Sequence, residues 1–152
     1  MRITVFTPTF NRGDLLPILY NSLVEQTYKD FEWVIVDDGS TDTTEAFVKG
    51  WIVENKIKIN YFKQENGGKH RAINKGVELA KGKLFFIVDS DDYLPTTALK
   101  IVSKKYKVAK EKYEIAGVAG RRMFKDGNIV GSKNFTKIVT NSIDIRYKYN
   151  VT

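Results

Sequence analysis

Two acidic runs, Asp37-Asp38-Gly39-Ser40 and Asp89-Ser90-Asp91-Asp92, carry the residue types most able to do chemistry in this sequence. Carboxylates held close together repel and raise one another's pKa, so a cluster of them calls for a compensating cation. Cysteine is absent and His70 is the single histidine, which leaves a hard divalent ion, Mg2+ or Mn2+, as the cation that suits such a site. An ion of this kind keeps positions open for substrate phosphates. Calcium in an EF-hand loop beginning at Asp89 fits poorly, because Leu94 and Ile101 stand where glycine and glutamate are needed. A third segment, Glu65-Asn66-Gly67-Gly68-Lys69-His70-Arg71, offers two glycines, a helix start with unpaired N–H groups, and the cations of Lys69 and Arg71. That combination suits a diphosphate. The competing explanation is structural: Asp and Ser also cap helices and shape turns. It weighs more heavily on Asp37–Ser40 than on Asp89–Asp92. His70, beside a glycine turn, reads as a hydrogen-bonding structural residue rather than a general base. Neither GxxxxGK[ST] nor GxGxxG occurs, so a P-loop and a Rossmann dinucleotide fingerprint are both excluded.

These segments need a scaffold that brings them together, and the apolar pattern supplies one. Strands are expected over residues 3–6, 31–36, 57–62 and 84–88, with another over 115–123. Helices are expected over 14–26, 43–55, 69–80 and 96–113. Alternation of Ile57, Ile59 and Tyr61 with Lys58 and Asn60 marks a half-exposed strand at a sheet edge. Leu84-Phe85-Phe86-Ile87-Val88 is apolar throughout, as a central parallel strand covered on both faces would be. Asp126-Gly127 supplies a turn signal, with Ile129-Val130 as a hairpin partner. Strand and helix in alternation is the α/β pattern, here a three-layer α/β/α sandwich with a mainly parallel sheet. Right-handed crossovers align the carboxyl ends of the strands along one edge, where ligands bind. Thr7-Pro8-Thr9-Phe10-Asn11-Arg12 and both acidic runs fall at that edge.

With 152 residues, 42% of them apolar and 28% charged, the chain has the composition of one globular domain. The lack of cysteine rules out disulfides and thiolate chemistry. No apolar run approaches 18 residues, and the first residues lack a signal-peptide pattern, so a cytoplasmic location is expected. Residues 1–76 hold ten basic and ten acidic side chains, whereas residues 77–152 hold fifteen and eight, which accounts for the net charge of +7. That asymmetry points to an anionic partner or to a solvated lysine surface.

Taken in order, Thr7-Pro8-Thr9-Phe10-Asn11-Arg12, Gln26-Thr27-Tyr28, Phe31-Glu32, Val36-Asp37-Asp38-Gly39-Ser40-Thr41-Asp42, Asn66-Gly67-Gly68, Ala80-Lys81-Gly82 and Asp89-Ser90-Asp91-Asp92 resemble family 2 inverting glycosyltransferases of the GT-A fold. The match covers about residues 1–115. The resemblance implies a nucleotide-sugar donor, a UDP-sugar, and a divalent metal, Mg2+ or Mn2+. It implies that Thr7, Pro8, Phe10, Asn11 and Arg12 wrap the base, with Phe10 in a place where tyrosine is frequent. Asp38 would accept from the uracil N3–H, and Arg71 would lie near the base or the diphosphate, with Lys69 adding positive charge beside it. Asp89-Ser90-Asp91 would be the DxD motif, Asp89 facing ribose or metal and Asp91 holding the metal, while Asp92 supports the loop.

The reaction implied is a single displacement, in which an acceptor hydroxyl attacks the anomeric carbon and a carboxylate base takes its proton. In the family that base comes from a later segment. Asp126, in a turn, and Asp144, in IDIRYKY, lack its context, so the base is expected beyond Thr152. The reading is therefore of one GT-A domain over 1–152, C-terminally truncated. Residues 1–115 form its nucleotide-sugar-binding part and 116–152 begin the acceptor side, with a glycan or lipid-linked acceptor. Such a chain is expected to bind donor and to transfer sugar slowly or not at all. A non-catalytic nucleotide-sugar-binding module is the alternative. A nucleic-acid-binding protein using Lys100, Lys104, Lys105, Lys107, Lys110 and Lys112 is disfavoured, since the carboxylates would repel DNA and no reader motif is present. The basic surface of residues 100–112 instead invites an anionic membrane or a lipid phosphate, with the protein at the inner face of a membrane.

Overall fold

A computed structural model describes residues 1–115, 117, 118, 123, 124, 126–128 and 130. Eight elements follow one another: β1 (Ile3–Thr9), α1 (Leu16–Val24), β2 (Phe31–Asp37), α2 (Thr44–Glu54), β3 (Ile59–Lys63), α3 (Lys69–Leu79), β4 (Leu84–Ile87) and α4 (Ala98–Lys110). The sheet is parallel in every pairing, with strand order β3-β2-β1-β4. Side chains alternate across it, as strand geometry requires. Ile3 and Val5 of β1 and Phe31, Trp33 and Ile35 of β2 meet Leu16, Leu19, Leu23, Val48, Trp51 and Leu99 on one face. Phe6, Val34 and Val36 face the other way, against Ala72 and Ile73 of α3. This is the expected three-layer sandwich, with α1, α2 and α4 on one side and α3 on the other.

That arrangement follows from chain direction. From β1 through β2 to β3 the chain steps one way along the sheet, then reverses and passes to the far side of β1 to form β4. Right-handed crossovers put helices of opposite travel on opposite faces. The reversal falls between β1 and β4, and in open α/β sheets a crevice forms outside the carboxyl ends at such a point. The β1–β4 ladder stops at Phe6 and Ile87, while the β1–β2 ladder runs on to Thr9 and Asp37. Pro8, which has no N–H, therefore lies past the last rung shared with β4, where no donor is needed on that side.

Polar groups fix the strand and helix starts. Glu32 is 1% exposed and accepts from the Thr4 hydroxyl at 2.8 Å and the Lys81 N–H at 2.7 Å, which seats the start of β4 beside β1 and β2. Gln26, fully buried, donates to the carbonyls of Ser22 and Pro95 and accepts the Leu99 N–H. It thus joins the end of α1 to the start of α4. Trp33 forms the centre of the core: it stacks on Tyr20 and Trp51, and its indole N–H donates to the Thr7 hydroxyl at 2.9 Å. Burial, together with the hydrogen bond to Glu54, pushes the Tyr20 hydroxyl up to about 12.

Two local expectations change, the central place of β4 and the strand over 115–123. β4 sits at one end of the described sheet rather than at its centre. It is half-buried, with Ile87 45% exposed, so its apolar run does not reflect cover on both faces among the described residues. On α3 the buried face is Ala72 and Gly76, and Val77 points outward, because the helix lies so close to Phe6 that its contact line is centred on a glycine. On α4, Leu99 and Ser103 are buried while Tyr113 is half-exposed beyond the helix end. Ile115, Gly117, Val118 and Phe124 are not in strands, and the rest of the expected strand over 115–123 lies mostly outside the described residues. The turn at Asp126-Gly127 is present, with Gly127 at φ 86. Its partner Ile129 lies outside them.

A Cβ at Gly76 would overlap the ring of Phe6, which is itself stacked on Phe85 at 5.0 Å and cannot swing aside. Gly76→Ala should therefore lower stability by about 1–3 kcal/mol through overpacking, although alanine is the better helix former. Urea denaturation checks this; an unchanged or raised midpoint would contradict the close α3–β1 approach.

Candidate nucleotide-sugar site

At the end of β2 the Asp38 side chain turns into the protein, where it is 5% exposed. One carboxylate oxygen accepts from the Gln64 side-chain amide at 2.7 Å and the Gly67 N–H at 3.0 Å, and the other from the Gly68 N–H at 2.7 Å. Burial alone would raise its pKa. The three hydrogen bonds and the nearby Arg71 charge outweigh that and hold it below the ordinary 3.8. Gly68 has φ 89, a conformation glycine adopts at no steric cost, which lets its N–H point at Asp38 while α3 starts at the next residue. The Arg71 side chain lies across Gly67, where a side chain would collide with it.

A second set of bonds sews the loop after β1 to the loop after β2. Asn11, in the left-handed region at φ 50, donates its N–H to Ser40 and accepts the Thr41 N–H on its side-chain oxygen. Asp42 accepts the N–H groups of Gly13 and Thr44, and the Thr44 hydroxyl accepts that of Arg12. Asp37 accepts from the Ser40 N–H and the Tyr61 hydroxyl. Asp37 and Asp42 thus have the structural roles open to any aspartate in a turn, and Asn11 combines such a role with its place at the rim. Phe10 is 46% exposed, an aromatic face left open at the carboxyl edge, with Arg12 also exposed.

At the end of β4, Asp89 accepts from the Lys69 ammonium at 2.6 Å. The start of α3 is therefore held to Asp38 through Gly67 and Gly68 and to Asp89 through Lys69. Ser90 is 7% exposed and Asp91 is exposed. Asp92 N–H donates to the Asp89 carbonyl, which closes the turn. The described residues contain no group of three or more Asp, Glu, His or Cys side chains gathered as for a closed metal cage. Asp89 and Asp91 instead offer two carboxylates at an open edge. That suits an ion completed by phosphate oxygens, and the Lys69 ammonium already shows a cation favoured at Asp89.

Of the residues expected at the donor, Pro8, Phe10, Asn11, Arg12, Asp38, Lys69, Arg71, Asp89, Ser90 and Asp91 fall at the carboxyl edge. Thr7 does not face it. It is fully buried, and its hydroxyl is taken by Trp33, because alternation along β1 turns residue 7 into the aromatic core. Thr9, two residues on, reaches the edge; its hydroxyl is buried with no hydrogen-bond partner among the described residues, which is costly unless a ligand completes it. Gln64 went unnoticed in the sequence. Its only signal was an amide just past an alternating edge strand.

The family model for Glycosyl transferase family 2 matches residues 4–150. The chain belongs to glycosyltransferase family 2. A Campylobacter jejuni relative, GalNAc(5)-diNAcBac-PP-undecaprenol beta-1,3-glucosyltransferase, is 34% identical over 138 residues, covering 89% of this chain and 42% of that protein. Among solved structures, Staphylococcus aureus TarS 1–349 in complex with UDP superimposes with a TM-score of 0.65 at 31% identity, over 82% of this chain and 40% of that one. The mannosyltransferase PcManGT from Pyrobaculum calidifontis, in complex with GDP-Man and Mn2+, gives 0.58 at 31% identity, over 61% and 28%. The chain spans well under half the length of the curated relatives it matches, from 13% to 42% among those compared. The GT-A fold expected of the family 2 chain is thus present.

Asp38→Asn would turn an amide NH2 toward at least one N–H donor. In this family 2 domain the substitution should cost about 1.5–3 kcal/mol at pH 7, the range for hydrogen bonds to a charged group. Because the folded carboxyl sits below its ordinary 3.8, the stabilisation is present above that pH and fades as pH falls through the lower folded value. Urea titrations of both proteins should show a gap at pH 7 that closes in acid; a constant gap would refute the charged clamp.

Proposed function

We propose that this family 2 domain binds a nucleotide-diphosphate sugar, a UDP-sugar, at the carboxyl edge of its sheet. There it contributes the donor half of an inverting, metal-dependent transfer to an acceptor hydroxyl on a glycan or lipid-linked chain, as in polysaccharide assembly. The observation that carries this reading is the convergence of Asp38, Lys69, Arg71 and Asp89 at the strand-order reversal, tied together by the bonds at Gly67 and Gly68. Nucleotide complexes of TarS and PcManGT, both similar in fold, support it.

In this reading the base packs on the exposed ring of Phe10 and meets Asp38, whose second oxygen has one protein donor and a lone pair to spare. Asp38 is already ionised and oriented by its three N–H donors, so it accepts a base N–H without reorganising. Thr9 offers its buried hydroxyl beside it. Lys69 and Arg71 lie at the start of α3, where cations and the helix end together favour a diphosphate. Asp89 and Asp91 would hold Mg2+ or Mn2+, which supplies charge neutralisation for the leaving diphosphate when bound. Donor binding would then draw Lys69 from Asp89 toward phosphate, exchanging one charge-assisted contact for another. The acceptor proton passes to a carboxylate outside this cluster, since Asp37, Asp38 and Asp42 are engaged in holding the loops.

Calorimetry with UDP, GDP and dTDP, each with and without Mn2+, should show a Mn2+-dependent preference for UDP. Asp91→Asn should weaken Mn2+-dependent binding at least tenfold, with a urea midpoint close to wild type because Asp91 is exposed. Unchanged Mn2+-dependent affinity in the variant would remove Asp91 from the metal site. Absence of any nucleotide binding by the wild-type chain would overturn the donor reading.

A further inference from the structure

The opposite, amino-terminal edge of the sheet also carries a concave site, a cavity of about 630 Å3. Its cations come from three separate places in the chain. Arg2 precedes β1, Lys81 and Lys83 precede β4, and Lys107 and Lys110 end α4. Against these five stand Asp30 and Glu111. Asp30 is already occupied by the Met1 ammonium at 2.9 Å and by Arg2 at 3.7 Å. Lys107 and Lys110 alone would be explained by the α4 dipole, which favours cations in the last turn. The dipole does not account for Lys81 and Lys83, which reach the same hollow from a loop held there by Glu32.

The basic character continues along α4. Lys100, Lys104, Lys105 and Lys112 are exposed, and interleaved with them are Ile101 at 52% exposure and Val108 at 40%. Ile101 and Val108 are seven residues apart, so they share one face of the helix. A free phosphate would use the cations and gain nothing from the apolar side chains. A bilayer interface uses both, since basic heads pair with anionic headgroups while apolar side chains enter the acyl boundary.

We propose that the amino edge, with the outer face of α4, docks on the phosphate headgroups of an anionic lipid surface, the cavity receiving a headgroup. The site is separate from the donor crevice: β1 spans seven residues between the two edges, about 20 Å at ~3.3 Å per residue. The proposal does not depend on which nucleotide, if any, the other edge binds.

Co-sedimentation of the full chain with vesicles tests it. Phosphatidylglycerol-containing vesicles should bind the protein and pure phosphatidylcholine vesicles should not, with binding falling steeply between low and physiological salt. Lys81→Gln with Lys83→Gln should weaken vesicle binding about 25-fold, at about fivefold per basic side chain near an anionic surface. A retained cooperative thermal transition shows that this variant is folded. Ile101→Ser should weaken vesicle binding while leaving calorimetric binding of inorganic pyrophosphate unchanged. Equal binding to both vesicle types, vesicle binding indifferent to both variants, pyrophosphate binding without vesicle binding, or equal affinity for duplex DNA would each overturn the proposal.

Discussion

A buried carboxylate that meets three N–H donors governs the working edge of this domain. Without Gln64, Gly67 and Gly68, ionised Asp38 at 5% exposure would be a desolvated charge, and the protein would favour protonating or exposing it. With them it becomes a fixed anion that dictates the course of the chain from the end of β3 to the start of α3. Lys69 and Arg71 take their positions from that start, and Lys69 in turn fixes Asp89. One ionised side chain at the end of β2 thereby sets the geometry of groups contributed by three other segments.

Parallel strands give the sheet two chemically different edges. At the carboxyl edge the chain arrives from β1, β2 and β4 with aspartates and glycines, and the strand order reverses among them. At the amino edge the connections arrive with lysine and arginine. The proposed division of labour, nucleotide on one edge and lipid phosphate on the other, keeps the carboxylates about 20 Å from the anionic surface at ~3.3 Å per residue of β1. Like charges that would repel the membrane are thus held on the far side of the domain.

Much of this was legible in the residues because several signals agreed. Alternation at Ile57–Tyr61 identified an edge strand, and β3 lies at one end of the described sheet. Pro17 falls in the first turn of α1, where a helix tolerates proline. The acidic runs followed apolar runs, which placed them at strand ends. What failed has physical causes. A purely apolar run such as Leu84–Val88 records low polarity and carries no information on how many neighbours cover it, so β4 was assigned a central place it does not have among the described residues. Thr7 belongs to the same motif as Pro8 and Phe10, but side chains alternate along a strand and the motif does not, so its hydroxyl serves Trp33. Gln64 and Tyr61 act through tertiary contacts with residues more than twenty positions away, which no local pattern encodes.

Gln26 has a further consequence for ligand capture. The segment carrying Asp89–Asp92 begins where the Val88 N–H donates to the Phe6 carbonyl, and it ends where Gln26 holds Pro95 and Leu99. Ser22 of α1 accepts the Leu94 N–H between them. A short loop moored to the core at both ends has little conformational freedom left to lose when an ion and a diphosphate arrive, so more of each contact's energy appears as affinity. This glutamine just past α1, which lies in the core and need touch no ligand, would in this way set how tightly the aspartates two helices later grip one.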